Sequence, residues 1–151
     1  MKRFILVGNN EAPFLGEGWY GLEKSPDHFY YRACGPLATI HLPAMKQRIR
    51  LSLILSARPE HAGEPLRVEV CSSSEEVWHL TVETNQWAVR TGELMVDSRA
   101  NVEFRCLNPW SPDQIYKNGD VRSLGFLLNA MRIEETSKGS RPGTIWTSLQ
   151  K

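Results

Sequence analysis

Apolar residues recur at every second position, in short blocks separated by turn-forming residues, and this period of two constrains the chain more than any other feature. In Leu37-Ala38-Thr39-Ile40-His41-Leu42, in Leu51-Ser52-Leu53-Ile54-Leu55 and in Leu66-Arg67-Val68-Glu69-Val70, alternate residues are apolar. One face of each strand can therefore enter a core while the other stays wet. Val77, His79 and Thr81 oppose Trp78, Leu80 and Val82, with both faces partly apolar, and Val102, Phe104 and Cys106 alternate with Glu103, Arg105 and Leu107. Leu124, Phe126 and Leu128 open a last long strand reaching about Glu134, and Phe4 to Val7 supplies a first. The pattern predicts an all-β, antiparallel, jelly-roll-like β-sandwich of eight or nine strands.

The segments between the blocks suit turns: residues 57–65 hold two prolines and a glycine, and Cys71-Ser72-Ser73-Ser74 and Asn118-Gly119-Asp120 follow the same rule. Only one short helical turn is expected, near residues 111–116, where Ser111 can cap and Pro112 suits the first helical position. At 151 residues one core is sufficient. The sandwich is expected over residues 1–135 and a flexible tail over 136–151, from which Trp146 and Leu149 can dock back.

Charge and cysteine content narrow the partners. With 18 Lys+Arg against 17 Asp+Glu, the net charge of +1 provides no global field for a polyanion, which argues against nucleic acid. Cys34, Cys71 and Cys106 are odd in number and widely spaced, arguing against a disulfide framework and a zinc site and for free thiols of a cytoplasmic protein. The run Phe4 to Val7 is far shorter than the apolar core of a signal peptide, and no stretch approaches the ~20 apolar residues of a membrane span, so no direct membrane insertion is expected.

Trp19, Tyr20, Phe29, Tyr30 and Tyr31 crowd into thirteen residues near the start. Sugar rings present apolar C–H faces that stack on flat side chains, and their hydroxyls need polar partners nearby, which is the chemistry such a cluster offers. The alternative is that these rings fill the end of the core. Asn108-Pro109-Trp110-Ser111-Pro112 and Asp120-Val121-Arg122 form a second group. Asp120 and Arg122 share one face of an extended chain, so they bind a polyol together or satisfy each other and neighbours such as Glu23 and Arg32.

Catalytic signals are thin. His28, His41, His61 and His79 are scattered, and no metalloprotease, nucleophile-elbow or phosphate-cradling motif occurs. A carboxylate pair drawn from Glu17, Glu23, Asp27 and Asp120 would need a separation of ~5 to 9 Å that sequence cannot give. Cys34 is a nucleophile or, as is commoner, a small core hydrophobe. Asp113, Asn118 and Asp120 offer oxygen ligands of the type calcium takes, but no metal or cofactor is assigned.

Gly18-Trp19-Tyr20-Gly21-Leu22-Glu23, Phe29-Tyr30-Tyr31-Arg32-Ala33, Ala38-Thr39-Ile40-His41-Leu42-Pro43, Ser111-Pro112 and Asp120-Val121-Arg122-Ser123-Leu124-Gly125-Phe126 form an ordered set from about residue 14 to 134. The set resembles the β-sandwich accessory domain attached to bacterial glycosyltransferases and other envelope-polysaccharide proteins. Ala33 stands where that family often has Trp, and Ser72-Ser73-Ser74 where it often has Asn-Gly. The resemblance implies a jelly-roll sandwich with a carbohydrate-related role.

The combined expectation is a non-catalytic module that recognises a glycan or docks on a glycan-synthesising protein. Trp19, Tyr20 and Trp110 would stack, and Glu23, Arg32, Asp120 and Arg122 would orient. The alternatives are a protein-interaction or assembly subunit that meets its partner through exposed edge strands, and a small jelly-roll enzyme. Oligomeric state is left open.

Overall fold

A computed structural model describes residues 2–42, 47–57, 64–72, 76–84, 86–96 and 101–136. They form ten strands: β1 (Lys2–Leu6), β2 (Trp19–Lys24), β3 (Tyr30–Cys34), β4 (Leu37–His41), β5 (Gln47–Ser56), β6 (Leu66–Ser72), β7 (Val77–Val82), β8 (Ala88–Val96), β9 (Asn101–Cys106) and β10 (Leu127–Glu135). One sheet has the order β2-β3-β10-β5-β8 with β1 also on β10, the other the order β4-β9-β6-β7, and all ladders between these strands are antiparallel. The sandwich predicted from the alternation is the observed one. It has ten strands rather than the expected eight or nine: β2 and β3 lie in the Gly- and Pro-punctuated aromatic stretch and β8 over Ala88–Val96, where no alternating block marks them.

The alternating leucines behave as their period demands. Leu51, Leu53 and Leu55 of β5 are fully buried, as are Leu66 and Val70 of β6 and Val102 of β9, and on β7 Trp78, Leu80 and Val82 point inward while Val77, His79 and Thr81 stay exposed. The last strand starts at Leu127 rather than Leu124. Leu124 instead bridges to Trp110, and Gly125 and Phe126 bond to the backbone of Cys34. A bulge between Leu128 and Ala130 then lets β10 change partner from β3 to β1. Asn129 sits at that junction, its Nδ2 donating to Tyr30 O and its carbonyl accepting from Val7 N–H.

The only helix longer than a single 3₁₀ turn among the described residues, α1 (Pro112–Tyr116), begins at the expected Ser111-Pro112, but Ser111 makes no side-chain cap. Its hydroxyl donates to Asp120 O across the loop instead. No helix among the described residues is long and apolar enough to cross a membrane. Residues 137–151, including Trp146 and Leu149, and the turn residues 58–63 and 73–75 lie outside the described residues. Thr136 belongs to the ordered body: its N–H and hydroxyl both donate to Arg48 O.

Candidate functional site

The outward face of the six-stranded sheet carries a second apolar cluster apart from the main core: Tyr31, Ala33, Trp110, Leu124 and Leu127, with Tyr20 and Trp87 packed against it. Residues 107–126 leave the end of β9 and cross onto this face, which brings Trp110 and Leu124 over β3 and β10. A bulge in β2 decides what faces them. Trp19 pairs with Cys34 and Leu22 with Arg32, so β2 holds one residue more than β3 across this interval. The extra residue shifts the parity: Trp19 turns into the sandwich, whereas Tyr20 and Glu23 share the outward face with Tyr31.

Four of the seven residues predicted for the site meet here. Arg122 Nε and Nη2 donate to Asp120 Oδ1 and Oδ2 at 2.9 and 2.7 Å, a two-pronged pair. The same guanidinium lies over the Tyr20 ring, 5.4 Å from its centroid, and its Nη1 stands 4.0 Å from Glu23 Oε2. Tyr20 Oη donates to Ser123 O at 3.1 Å. Donating these hydrogen bonds to the Asp120 carboxylate pushes Arg122 further up from its ordinary value. Of the two roles open to Asp120 and Arg122, mutual satisfaction is what the geometry displays, and the pair ties the 107–126 segment to β2. Glu23 Oε2 is buried and has no hydrogen-bond partner.

The other three sit elsewhere. Trp19 is no exposed platform: its ring packs edge-on against Phe104 and Phe126, with centroids 6.2 and 5.9 Å away, and its Nε1–H donates to Thr39 O at 2.8 Å. Trp110 is only 7% exposed and lies inside the outer cluster. Arg32 pairs in register with Leu128, a main-core residue, and so points away from Tyr20's side chain. Its Nε donates to the nearly buried Glu11 carboxylate at 2.8 Å and its Nη1 to Tyr20 O at 3.2 Å. Burial raises the Glu11 pKa, but the hydrogen bonds from Arg32 and from the backbone of residues 11 and 8 outweigh it and hold the carboxyl below its ordinary value. Core packing holds Trp19 and Trp110, and the ion pair with Glu11 holds Arg32.

Sequence reasoning passed over Trp87. This partly buried indole precedes β8 and reaches the β3 side, 6.1 Å from the ring of Phe29 and 6.3 Å from that of Tyr31. Phe29 is about half exposed. Beyond Trp87 the sheet face is ordered in rows set by strand register. Val89, Ile54, Ala130 and Leu6 form an apolar row across β8, β5, β10 and β1. Thr91, Ser52, Arg132 and Phe4 form the next, in which Thr91 Oγ1 donates to Ser52 Oγ at 3.0 Å, and Glu93, Arg50, Glu134 and Lys2 follow with alternating charge. A depression of about 180 Å³ lies over the first two rows, with Phe4 and Val89 about 60% exposed at its rim.

Cys34 is fully buried, and burial pushes its thiol well above the ordinary value, which makes it a core residue. Asp113 Oδ1 accepts from Gly119 N–H, Asn118 Oδ1 from Asp120 N–H, and Asp120 is engaged by Arg122. Among the described residues no three His, Cys, Asp or Glu side chains group as metal ligands.

No protein-family model matches the sequence, and no curated protein matches it. Solved structures do match the fold. The CBM35 module of Cellvibrio japonicus Abf62 is 8% identical over 91% of this chain and 95% of the module, with a TM-score of 0.54. The CBM22-1 xylan-binding domain of Paenibacillus barcinonensis Xyn10C is 7% identical over 92% and 95%, at 0.51. The CBM22-1 and GH10 modules of Clostridium thermocellum xylanase 10B, complexed with xylohexaose, match at 10% identity and 0.51, this chain spanning 29% of that one. The architecture of this chain is thus the jelly-roll-like β-sandwich of carbohydrate-binding modules.

Proposed function

We propose that this chain is a non-catalytic carbohydrate-recognition module that binds a glycan on the outward face of its six-stranded sheet. The observation that carries the proposal is the arrangement of that face: the Phe29, Trp87 and Tyr31 rings stand beside an apolar row with Val89 and Leu6 exposed, which adjoins a row of hydroxyl, guanidinium and aromatic groups with Phe4 exposed. A pyranose has the complementary division, with C–H groups on its ring faces and hydroxyls at its edge. The sandwich shared with carbohydrate-binding modules adds support. Tyr20, Glu23, Asp120 and Arg122 bound the face on the β2 side, where the Arg122–Asp120 pair and the Arg122 guanidinium over the Tyr20 ring hold its edge in place beside the Glu23 carboxylate.

The ordered motifs from Gly18 to Phe126 further support a place in bacterial surface-polysaccharide assembly, with the glycan as a product or intermediate of that process. The test is an array of plant and bacterial-envelope glycans probed with the purified chain, followed by calorimetry on each hit. Trp87→Ala should weaken binding about tenfold or more while the protein stays folded, because a stacked ring contributes on the order of 1–2 kcal/mol. Unchanged affinity in Trp87→Ala removes the site, and silence across the array removes the function.

A further inference from the structure

Cys34 ends β3 in one sheet and Cys106 ends β9 in the other, and their sulfurs face each other across the sandwich at 3.8 Å. Both are buried, Cys34 completely. The backbones around them are tied together: Cys106 N–H donates to Pro36 O at 2.8 Å, Cys34 N–H to Phe126 O at 3.0 Å and Gly125 N–H to Cys34 O at 2.7 Å. Gly125 lies against the pair so closely that a Cβ there would run into both sulfurs. The approach from 3.8 Å to bonding distance, ~2.05 Å, is under ~2 Å shared by two side chains.

We propose that Cys34 and Cys106 are a disulfide-forming pair, oxidised by a low-molecular-weight disulfide such as oxidised glutathione to give one covalent bond between the sheets. The thiolate of Cys106 attacks one sulfur of the oxidant and releases one glutathione thiolate. The thiolate of Cys34 then attacks Cys106 Sγ in the mixed disulfide, forms the Cys34–Cys106 bond and releases the second glutathione. The two protons leaving the cysteines end on the two glutathione thiols, so the cysteines are oxidised and the oxidant is reduced. The folded chain has no room for the mixed disulfide beside Gly125, which places the reaction in the folding chain or in a form with residues 107–126 opened. Cys71 stands apart on β6 and takes no part.

The bond would join the strand bearing Tyr31 and Arg32 to the strand leading into the segment with Asp120 and Arg122. It closes a loop between residues 72 positions apart, long enough that the chain-entropy effect raises the melting temperature by about 10 °C.

The experiment is refolding of the full chain, and of Cys71→Ser, from denaturant in a mixture of oxidised and reduced glutathione. Acid quench, thiol titration in denaturant and peptide mapping follow. The expected result is one remaining thiol in the wild type and none in Cys71→Ser, a Cys34–Cys106 cross-linked peptide, and melting about 10 °C above the reduced protein. Three titratable thiols, glutathione adducts in place of the cross-link, a bond involving Cys71, or an oxidised form melting no higher than the reduced form would each overturn the proposal. The Cys71→Ser chain retains both members of the pair, so its result reports on Cys34 and Cys106 alone.

Discussion

Trp19→Ala separates a residue that builds the sandwich from one that touches ligand. The indole makes two edge-to-face contacts, at 73° to Phe104 and 81° to Phe126, each contributing about 1 kcal/mol. Its Nε1–H bond to Thr39 O adds at most about 1 kcal/mol, because that carbonyl keeps a second donor, Gly16 N–H at 2.8 Å. Removing a half-buried indole from its apolar contacts adds about 1–2 kcal/mol more. The total is about 3–5 kcal/mol, or a fall of about 10 °C or more in melting temperature for a domain of this size. Urea unfolding followed by near-ultraviolet circular dichroism measures the stability, and calorimetry under conditions where the variant is fully folded measures ligand affinity. The expected outcome is a large loss of stability with affinity within about twofold of wild type. A variant within about 0.5 kcal/mol of wild type whose binding is lost would refute the assignment and return Trp19 to the ligand.

Two further perturbations test the supports of the site. Glu11 has a folded pKa below its ordinary 4.5, so its contribution is fully present above that value and is lost as pH falls through the folded value. Unfolding free energies measured between pH 7 and pH 2 should show wild type more stable than Glu11→Gln at neutral pH and the two curves converging below about pH 4.5, whereas a constant gap would contradict the ion pair's role. Asp120→Asn removes one prong and the charge of the pair with Arg122, and should cost about 1–2 kcal/mol while speeding amide exchange in residues 107–126. Equal exchange rates in the two proteins would show that this pair does not hold the segment.

The period of two was sufficient to read the core, because a buried face on an antiparallel strand admits apolar residues only at alternate positions: Leu51, Leu53 and Leu55 were legible for that reason. β2 and β3 were not legible as strands, since their aromatics fall on both faces and glycines interrupt them. Nor does sequence reveal the β2 bulge, and that one extra residue sends Trp19 inward and leaves Tyr20 and Glu23 together on the outside. Simple alternation would have grouped Trp19 with Glu23. Asp120 and Arg122 were readable as a pair, two residues apart on an extended chain, but whether they served a ligand or each other depended on distances that only folding sets. Trp87 gave no periodic signal. Its meeting with Tyr31 follows from the registers Ala88↔Leu55, Ser56↔Leu127 and Leu127↔Ala33, which carry it across three strands.

These placements also favour the sheet face over the crossing segment as the place of the proposed recognition. A ligand hydroxyl competes poorly for a carboxylate and guanidinium that already hold each other in two charge-assisted bonds, and separating them would expose partners at a cost above that of one new hydrogen bond. On the sheet face, by contrast, Phe4 and Val89 lose water when covered, and a sugar laid across them needs no rearrangement of the backbone beneath. The ladder of β10 with β5 and of β5 with β8 keeps that surface rigid, so binding would not have to order it. The crossing segment contributes through Arg122 above Tyr20 and through Trp110 beneath, which hold the edge of the face in place for Trp87 to work against.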